Sequence, residues 1–244
     1  MYNILSGQRR SGTSMLILAL RQSGIPVIGM KYPMNDLPVP KERKEGNPNG
    51  FWELQGITSD IGLESKFEDI GMKGDLIKII TECLYKSDPK LISKVVMTFR
   101  EPSNVIASIL KHNNIPELDL YIIQQCVDIA DSLDYCQYNN IPVKPVIYER
   151  ILKNPLEEIT KVCEFLDSGD PKKGAEIIKQ GLNRSKGKKY KGIGWLENIY
   201  AMAKEDNIQG IIDYKPMLFE AFKNMLESYK KRGQKVVGKA TPKK

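Results

Sequence analysis

A short segment near the N-terminus combines glycines, hydroxyl side chains and arginines in the pattern of an anion-binding loop. It reads Gly7-Gln8-Arg9-Arg10-Ser11-Gly12-Thr13-Ser14 and lies between an apolar run and an amphipathic stretch. Glycines let backbone N–H groups approach a ligand closely, and the N-terminus of a following helix adds unpaired donors. Guanidinium groups match tetrahedral oxyanions. The segment predicts a phosphate site; the plainer interpretation is a glycine-rich turn with surface arginines.

The chain lacks two residues that a P-loop hydrolysing ATP or GTP requires, one in this loop and one after a later strand. The pattern G-x-x-x-x-G-K-[ST] would place a lysine where Thr13 stands. The apolar run over residues 94–99 is followed by Arg100, not by an aspartate that could hold Mg²⁺. A site with added arginines and without this metal ligand suits an anion that needs no magnesium.

A second basic and hydroxyl-bearing segment follows that apolar run. It reads Phe99-Arg100-Glu101-Pro102-Ser103-Asn104-Val105-Ile106-Ala107-Ser108. Arg100 lies at the expected carboxyl end of a strand, and Ser108 lies about two turns into the next helix. The pair could bind one more phosphate group. Alternatively, Arg100 could simply pair with a neighbouring acid.

The elements that must position these segments alternate between strands and helices. Apolar, β-branched runs predict strands over residues 2–6, 75–80, 94–99 and 143–148. Amphipathic periodicity predicts helices over residues 13–23, 59–70, 102–112 and 118–138. This alternation predicts an α/β fold with a mainly parallel sheet flanked by helices. In such sheets ligands bind outside the carboxyl ends of the strands, which both segments follow.

The chain is predicted to form one domain over residues 1–229, with a helical part over residues 171–229. Residues 31–50 hold four prolines and predict a long loop. The net charge of +7 is partly concentrated in residues 230–244, which predict a basic, flexible tail. Because that tail lacks interleaved aromatic residues, nucleic-acid binding is the weaker interpretation.

Composition favours a soluble cytoplasmic protein and leaves the oligomeric state open. No apolar run approaches the roughly 20 residues that span a membrane, and no signal peptide is visible at Met1. The four cysteines are scattered and form no C-x-x-C pair. They are therefore expected to be reduced and mostly buried, without a metal or a disulfide framework.

Together, the two segments resemble the P-loop sulfotransferases. Members of this family carry R/K-S-G-T-[ST] after the first strand, and Arg10-Ser11-Gly12-Thr13-Ser14 matches it. They also carry R-x-P-x-x-x-x-x-S, which Arg100, Pro102 and Ser108 match. The resemblance implies a P-loop nucleotide-binding fold.

Weaker similarities, to bacterial-type members, continue in chain order to about residue 186. They concern the family patterns N-P-x-G-[YF]-x-E, V-x-K-V, a late strand–helix unit ending in F-L, and L-x-R. The matching segments are Asn47–Glu53, Leu76–Ile79, Tyr148–Leu166 and Leu182–Arg184. Residues 187–244 match no pattern of the family.

The resemblance implies sulfuryl transfer from 3′-phosphoadenosine 5′-phosphosulfate (PAPS) to a hydroxyl or amine, without a metal. The loop from Gln8 to Ser14 would hold the 5′-phosphosulfate, with Arg10 at the bridging oxygen. Arg100 and Ser108, joined by Arg184, would hold the 3′-phosphate. The acceptor would be a small molecule or a glycan.

Three further residues are candidates for the chemistry of transfer. Lys78 could contact the transferring group, or could simply reach solvent from a strand end. Glu53 is preferred as the base over His112, the only histidine, because it lies near the expected acceptor side. A non-catalytic nucleotide-binding protein and a degenerate P-loop kinase or NTPase remain the alternatives.

Overall fold

A computed structural model describes residues 1–29, 62–64, 75–111, 115–178, 190 and 193–231. Several sequence predictions lie outside the described residues. These are the long loop over residues 31–50, the candidate bases Glu53 and His112, the phosphate ligand Arg184 and the tail after residue 231.

The described residues form a central sheet of five strands, all parallel. The strands are β1 (Tyr2–Gly7), β2 (Val27–Ile28), β3 (Leu76–Lys78), β4 (Ile92–Phe99) and β5 (Val143–Ile147). Their order across the sheet is β2-β3-β1-β4-β5. The predicted α/β fold with a mainly parallel sheet is confirmed, whereas the two-residue strand β2 was not predicted.

Helices connect and cover the strands. In the described part they are α1 (Thr13–Gln22), α2 (Thr81–Leu84), α3 (Pro102–Leu110), α4 (Leu118–Tyr138), α5 (Tyr148–Lys153), α6 (Pro155–Leu166), α7 (Pro171–Glu176), α8 (Gly194–Lys204) and α9 (Ile208–Lys231). Helix α9 includes Lys230 and Lys231, the first residues of the predicted tail. Buried Tyr229 holds this end, because its hydroxyl group bonds the Asp119 carboxylate on α4.

Side chains alternate across the sheet and fill two apolar cores, since successive residues of a strand point to opposite faces. Ile4 and Ile77 lie in the core formed with α3, α4, α8 and α9. Leu5, Leu76 and Val96 lie in the core formed with α1 and α6. Both faces of the sheet are therefore covered, which explains why its strands are nearly continuous apolar runs.

The strand order creates a crevice at the carboxyl ends of β1 and β4. These strands are neighbours, but the chain leaves β1 toward the β2 side of the sheet and leaves β4 toward the β5 side. Such a reversal separates the two connections, and in parallel sheets a crevice between them is where ligands commonly bind. Because β1 ends at Gly7 and β4 at Phe99, both predicted anion-binding segments meet there.

The helix predicted over residues 59–70 is wrong at residues 62–64, the part of it that the structure describes. Residues 62–64, inside the segment predicted to be helical over residues 59–70, have no regular secondary structure. The Leu63 N–H donates to Ser87 Oγ at 2.9 Å, and the Asp88 N–H donates to the Leu63 carbonyl at 2.7 Å. These tertiary hydrogen bonds replace the intrahelical ones that the amphipathic pattern had indicated.

Two predictions from composition can be compared with the described residues. All four cysteines are buried and free, as expected: Cys83, Cys126, Cys136 and Cys163. Within the described ranges, every helix is too short or too polar to cross a bilayer.

A buried carboxylate lies where α4 packs against α2. Asp128 Oδ1 accepts hydrogen bonds from Tyr85 Oη at 3.1 Å and Gln124 Nε2 at 3.0 Å. Asp128 Oδ2 accepts a longer bond from Gln125 Nε2 at 3.5 Å. Burial raises the pKa of Asp128 to about 6, and the charge of Glu82 adds to the rise, while the bonds from Gln124 and Tyr85 oppose it. Ionising this group at neutral pH therefore costs stability.

Asp128→Asn is expected to stabilise the protein at pH 7, on the order of 2 kcal/mol, because asparagine fits the pocket without a charge. The pKa of Asp128 is higher in the folded state than in the unfolded state. Its stabilising contribution to the free energy of unfolding is therefore fully present below pH 4 and is lost as pH rises through about 6. Urea unfolding of both proteins from pH 4 to pH 7 checks this. A stability difference that stays constant over that range would contradict it.

Candidate anion-binding site

The loop after β1 presents backbone donors at the start of α1. The Ser11 N–H donates to the Gln8 carbonyl at 3.2 Å, which closes a turn, and Arg10 adopts a left-handed φ of 71°. Within the described part of the chain, the N–H groups of Gly12, Thr13 and Ser14 have no acceptor. These donors and the partial positive charge of the ten-residue helix α1 lie just beyond the carboxyl end of β1.

The loop packs directly on β4 because Gly7 has no side chain. A Cβ atom at Gly7 would lie 2.2 Å from Thr98 Oγ1 and 2.6 Å from Ser11 Oγ. These two hydroxyl groups are themselves 2.7 Å apart, and Thr98 Oγ1 also donates to the Ser6 carbonyl at 3.3 Å. The Ser11 hydroxyl thus holds the loop against the sheet, a contact that the sequence did not predict.

Tyr148 supports the loop from the other side. This buried residue begins α5, and its ring centroid lies 4.6 Å from the Arg100 guanidinium carbon. A Cβ atom at Gly12 would lie 2.3 Å from Tyr148 Cδ2. Arg100 Nη1 in turn donates to the Arg10 carbonyl at 3.0 Å. Sequence reasoning missed Tyr148 as a support of the loop, although its position at the carboxyl end of the strand predicted over residues 143–148 was a usable signal.

Arg10 joins the two predicted anion-binding segments. Its Nε donates to Ser108 Oγ at 2.8 Å, and Ser108 is buried on α3. Burial lowers the pKa of Arg10, and the nearby charge of Arg100 lowers it further. Among the described residues, no carboxylate pairs with Arg10. An anion in the crevice would relieve this repulsion between like charges.

The acids beside Arg100 order the start of α3. Glu101 Oε2 accepts a hydrogen bond from the Asn104 N–H at 2.9 Å and so caps the helix. Glu149 Oε1 accepts from the Glu101 N–H at 3.1 Å, and Glu149 Oε2 accepts from Tyr200 Oη at 2.9 Å. Burial lowers the pKa of Arg100, while the Tyr148, Glu149 and Glu101 side chains oppose this shift.

Lys78 and Arg9 lie on the β3 side of the loop. Lys78 is only 4% exposed, and its Nζ donates to Ser14 Oγ at 3.3 Å. The interpretation that Lys78 simply reaches solvent is therefore wrong. Arg9 forms an ion pair with Glu82, in the first turn of α2, a residue that sequence reasoning had not selected.

The structure thus brings together most of the predicted site residues that it describes. Arg10, Arg100 and Ser108 converge with the N-terminus of α1, and Gln8, within the loop, is buried. No cluster of three metal-ligating side chains occurs in the ranges that the structure covers. That the site functions without a metal stays a prediction.

Comparison with models of known protein families finds no match, and comparison with curated proteins finds none either. The fold and the site define this chain as an α/β protein with a basic crevice at the carboxyl edge of a five-stranded parallel sheet. Its resemblance to the P-loop sulfotransferases rests on the sequence motifs alone.

Gly12→Ala is expected to destabilise the fold by about 2–5 kcal/mol, because it combines left-handed backbone strain with overpacking against Tyr148. Gly24→Ala is the matched control. The two glycines have similar φ angles, 89° at Gly24 and 101° at Gly12. A Cβ atom would meet open space at Gly24, whereas at Gly12 it would overlap the Tyr148 ring. The control should lose only about 1–2 kcal/mol in urea unfolding. Equal losses of stability in the two variants would contradict the close contact between Gly12 and the Tyr148 ring.

Proposed function

We propose that this chain is a P-loop sulfotransferase, which moves a sulfuryl group from PAPS to a hydroxyl or amine of a small-molecule or glycan acceptor. The observation that carries the proposal is the convergence of Arg10, Arg100 and Ser108 with the N-terminus of α1, at the crevice between β1 and β4. The family motifs of the sequence supply the identity of the ligand.

PAPS suits this crevice because it carries anionic groups at two ends of one adenosine. The N–H donors at the start of α1 suit a 5′-phosphosulfate. Arg100 and Ser108 suit the 3′-phosphate, since both lie beyond the carboxyl end of the neighbouring strand β4. Arg10 lies between the two positions, and a polyanion would neutralise its repulsion with Arg100.

The same groups would stabilise the charge that develops during sulfuryl transfer. The acceptor atom attacks sulfur in line, and the bond between sulfur and the 5′-phosphate oxygen breaks. Negative charge then accumulates on the leaving phosphate, beside the α1 N-terminus and Arg10. Lys78 Nζ donates a hydrogen bond to Ser14 Oγ at 3.3 Å. From this position its ammonium group would contact the sulfuryl oxygens.

Adenosine 3′,5′-bisphosphate, the product of transfer, is expected to raise the melting temperature without Mg²⁺. Arg10→Ala and Arg100→Ala should each weaken binding about 10–100-fold, because each removes a charged hydrogen-bond donor. Calorimetric titration gives the affinities. Arg21→Ala, an exposed arginine at the other end of α1, is the control and should bind like the unmodified protein.

Melting temperatures of the nucleotide-free variants separate a loss of binding from a loss of folding. Absence of any shift in the unmodified protein would overturn the proposal. A shift that requires both ATP and Mg²⁺ would favour the kinase or NTPase alternative. Tight binding of the bisphosphate without transfer to any acceptor would favour a non-catalytic binding protein.

The 3′-phosphate is expected to contribute affinity through Ser108. The unmodified protein should bind adenosine 3′,5′-bisphosphate at least about tenfold more tightly than adenosine 5′-phosphate. Ser108→Ala should reduce this preference about 3–10-fold and leave the affinity for the 5′-phosphate unchanged. Ser23→Ala removes a similarly buried hydroxyl group at the far end of α1 and should keep the preference. An unaltered preference in Ser108→Ala would remove Ser108 from the site.

A further inference from the structure

The two arginines of the loop extend to opposite sides of β1. Arg10 reaches Ser108 on α3, the helix that follows β4. Arg9 reaches Glu82 on α2, the helix that follows β3. Since β3 and β4 flank β1 on opposite sides, the loop divides the carboxyl edge of the sheet into a β3 half and a β4 half.

These halves differ in chemistry. The β4 half carries Arg100 and Ser108. Its acids Glu101 and Glu149 already accept hydrogen bonds from backbone N–H groups at the start of α3. The β3 half carries Lys78 at the end of its strand and Glu82 four residues later. Under the proposed function, a nucleotide with its 3′-phosphate in the β4 half and its 5′-phosphosulfate on the loop presents sulfur to the β3 half.

We infer that Glu82 is the general base that removes the proton from the acceptor. This inference rests on the proposed function. Among the described residues, Glu82 is the carboxylate that contacts the loop directly, through Arg9. Its side chain keeps 17% of its surface exposed, so that an acceptor can reach it.

The surroundings of Glu82 hold it in place without enclosing it. Helix α2 is anchored at its first residue, because Ser132 Oγ on α4 donates to the Thr81 carbonyl at 2.8 Å. Arg9 is half exposed, with 52% of its side chain accessible, so water screens the ion pair and its rearrangement costs little. The neighbouring carboxylate Asp128 does not compete for this role, because it is 3% exposed and already accepts bonds from three donors.

The transfer step balances with Glu82 as the proton acceptor. The O–H or N–H bond of the acceptor breaks, and its proton moves to Glu82 Oε. The acceptor atom forms a bond to sulfur, and the sulfur–oxygen bond to the 5′-phosphate breaks. The electron pair of that bond stays on the phosphate of adenosine 3′,5′-bisphosphate. Glu82 returns its proton to water after the products leave.

The test compares nucleotide binding with donor turnover in Glu82→Gln, which keeps the shape of the side chain and an acceptor for Arg9. Turnover is the release of adenosine 3′,5′-bisphosphate from PAPS, in water and with added alcohols, sugars and amines. We expect binding within about threefold of the unmodified protein and release at least about 100-fold slower, as for loss of a general base. Formate should restore part of the rate of Glu82→Ala.

Glu157→Gln is the matched control, because Glu157 also lies in the first turn of a helix and pairs with a cation, Lys161. It should release product at the normal rate. Equal release by the unmodified protein and Glu82→Gln would overturn the assignment of Glu82. A parallel loss of binding and release in Glu82→Gln, without formate rescue of Glu82→Ala, would also overturn it in favour of a positioning role. Failure of the unmodified protein to bind the bisphosphate would overturn the proposed function itself.

Discussion

The close approach of the loop backbone to β4 and to Tyr148 is the constraint on which the rest of the site depends. At Gly7 and Gly12 a side chain would overlap Thr98 and the Tyr148 ring, so glycine is needed at both positions. Because the loop is held this closely, the α1 N-terminus opens directly onto the crevice between β1 and β4. The Arg100 guanidinium then lies over the Tyr148 ring and donates a hydrogen bond to the loop backbone, which ties both candidate segments to one support.

This support also concentrates positive charge where water is partly excluded. Burial and mutual repulsion lower the pKa of Arg10, and burial lowers the pKa of Arg100. Such an arrangement costs stability in the free protein, and a bound polyanion would recover that cost. This arrangement of charges does not stabilise the free protein, which is consistent with the proposed binding of a nucleotide.

The strand order gives the site a direction. With β1 between β3 and β4, Arg100 and Ser108 lie on one side of the loop, and Lys78 and Glu82 lie on the other. An elongated ligand that lies across the loop therefore has two chemically different ends. The ion pair between Arg9 and Glu82 places a carboxylate at the end that would receive the acceptor.

The sequence by itself determined the local elements: the apolar runs of the strands, the bounds of α4, the glycine-rich loop and the second segment at Arg100. These follow from patterns among near neighbours in the chain, such as alternation, helical periodicity and turn residues. The opposite directions of Arg9 and Arg10, and the burial of Lys78, were decided only by tertiary structure. Their partners are 64 to 98 residues away, and only the order of the strands brings them together. Leu63 was misassigned for the same reason, since its hydrogen bonds join it to a distant turn.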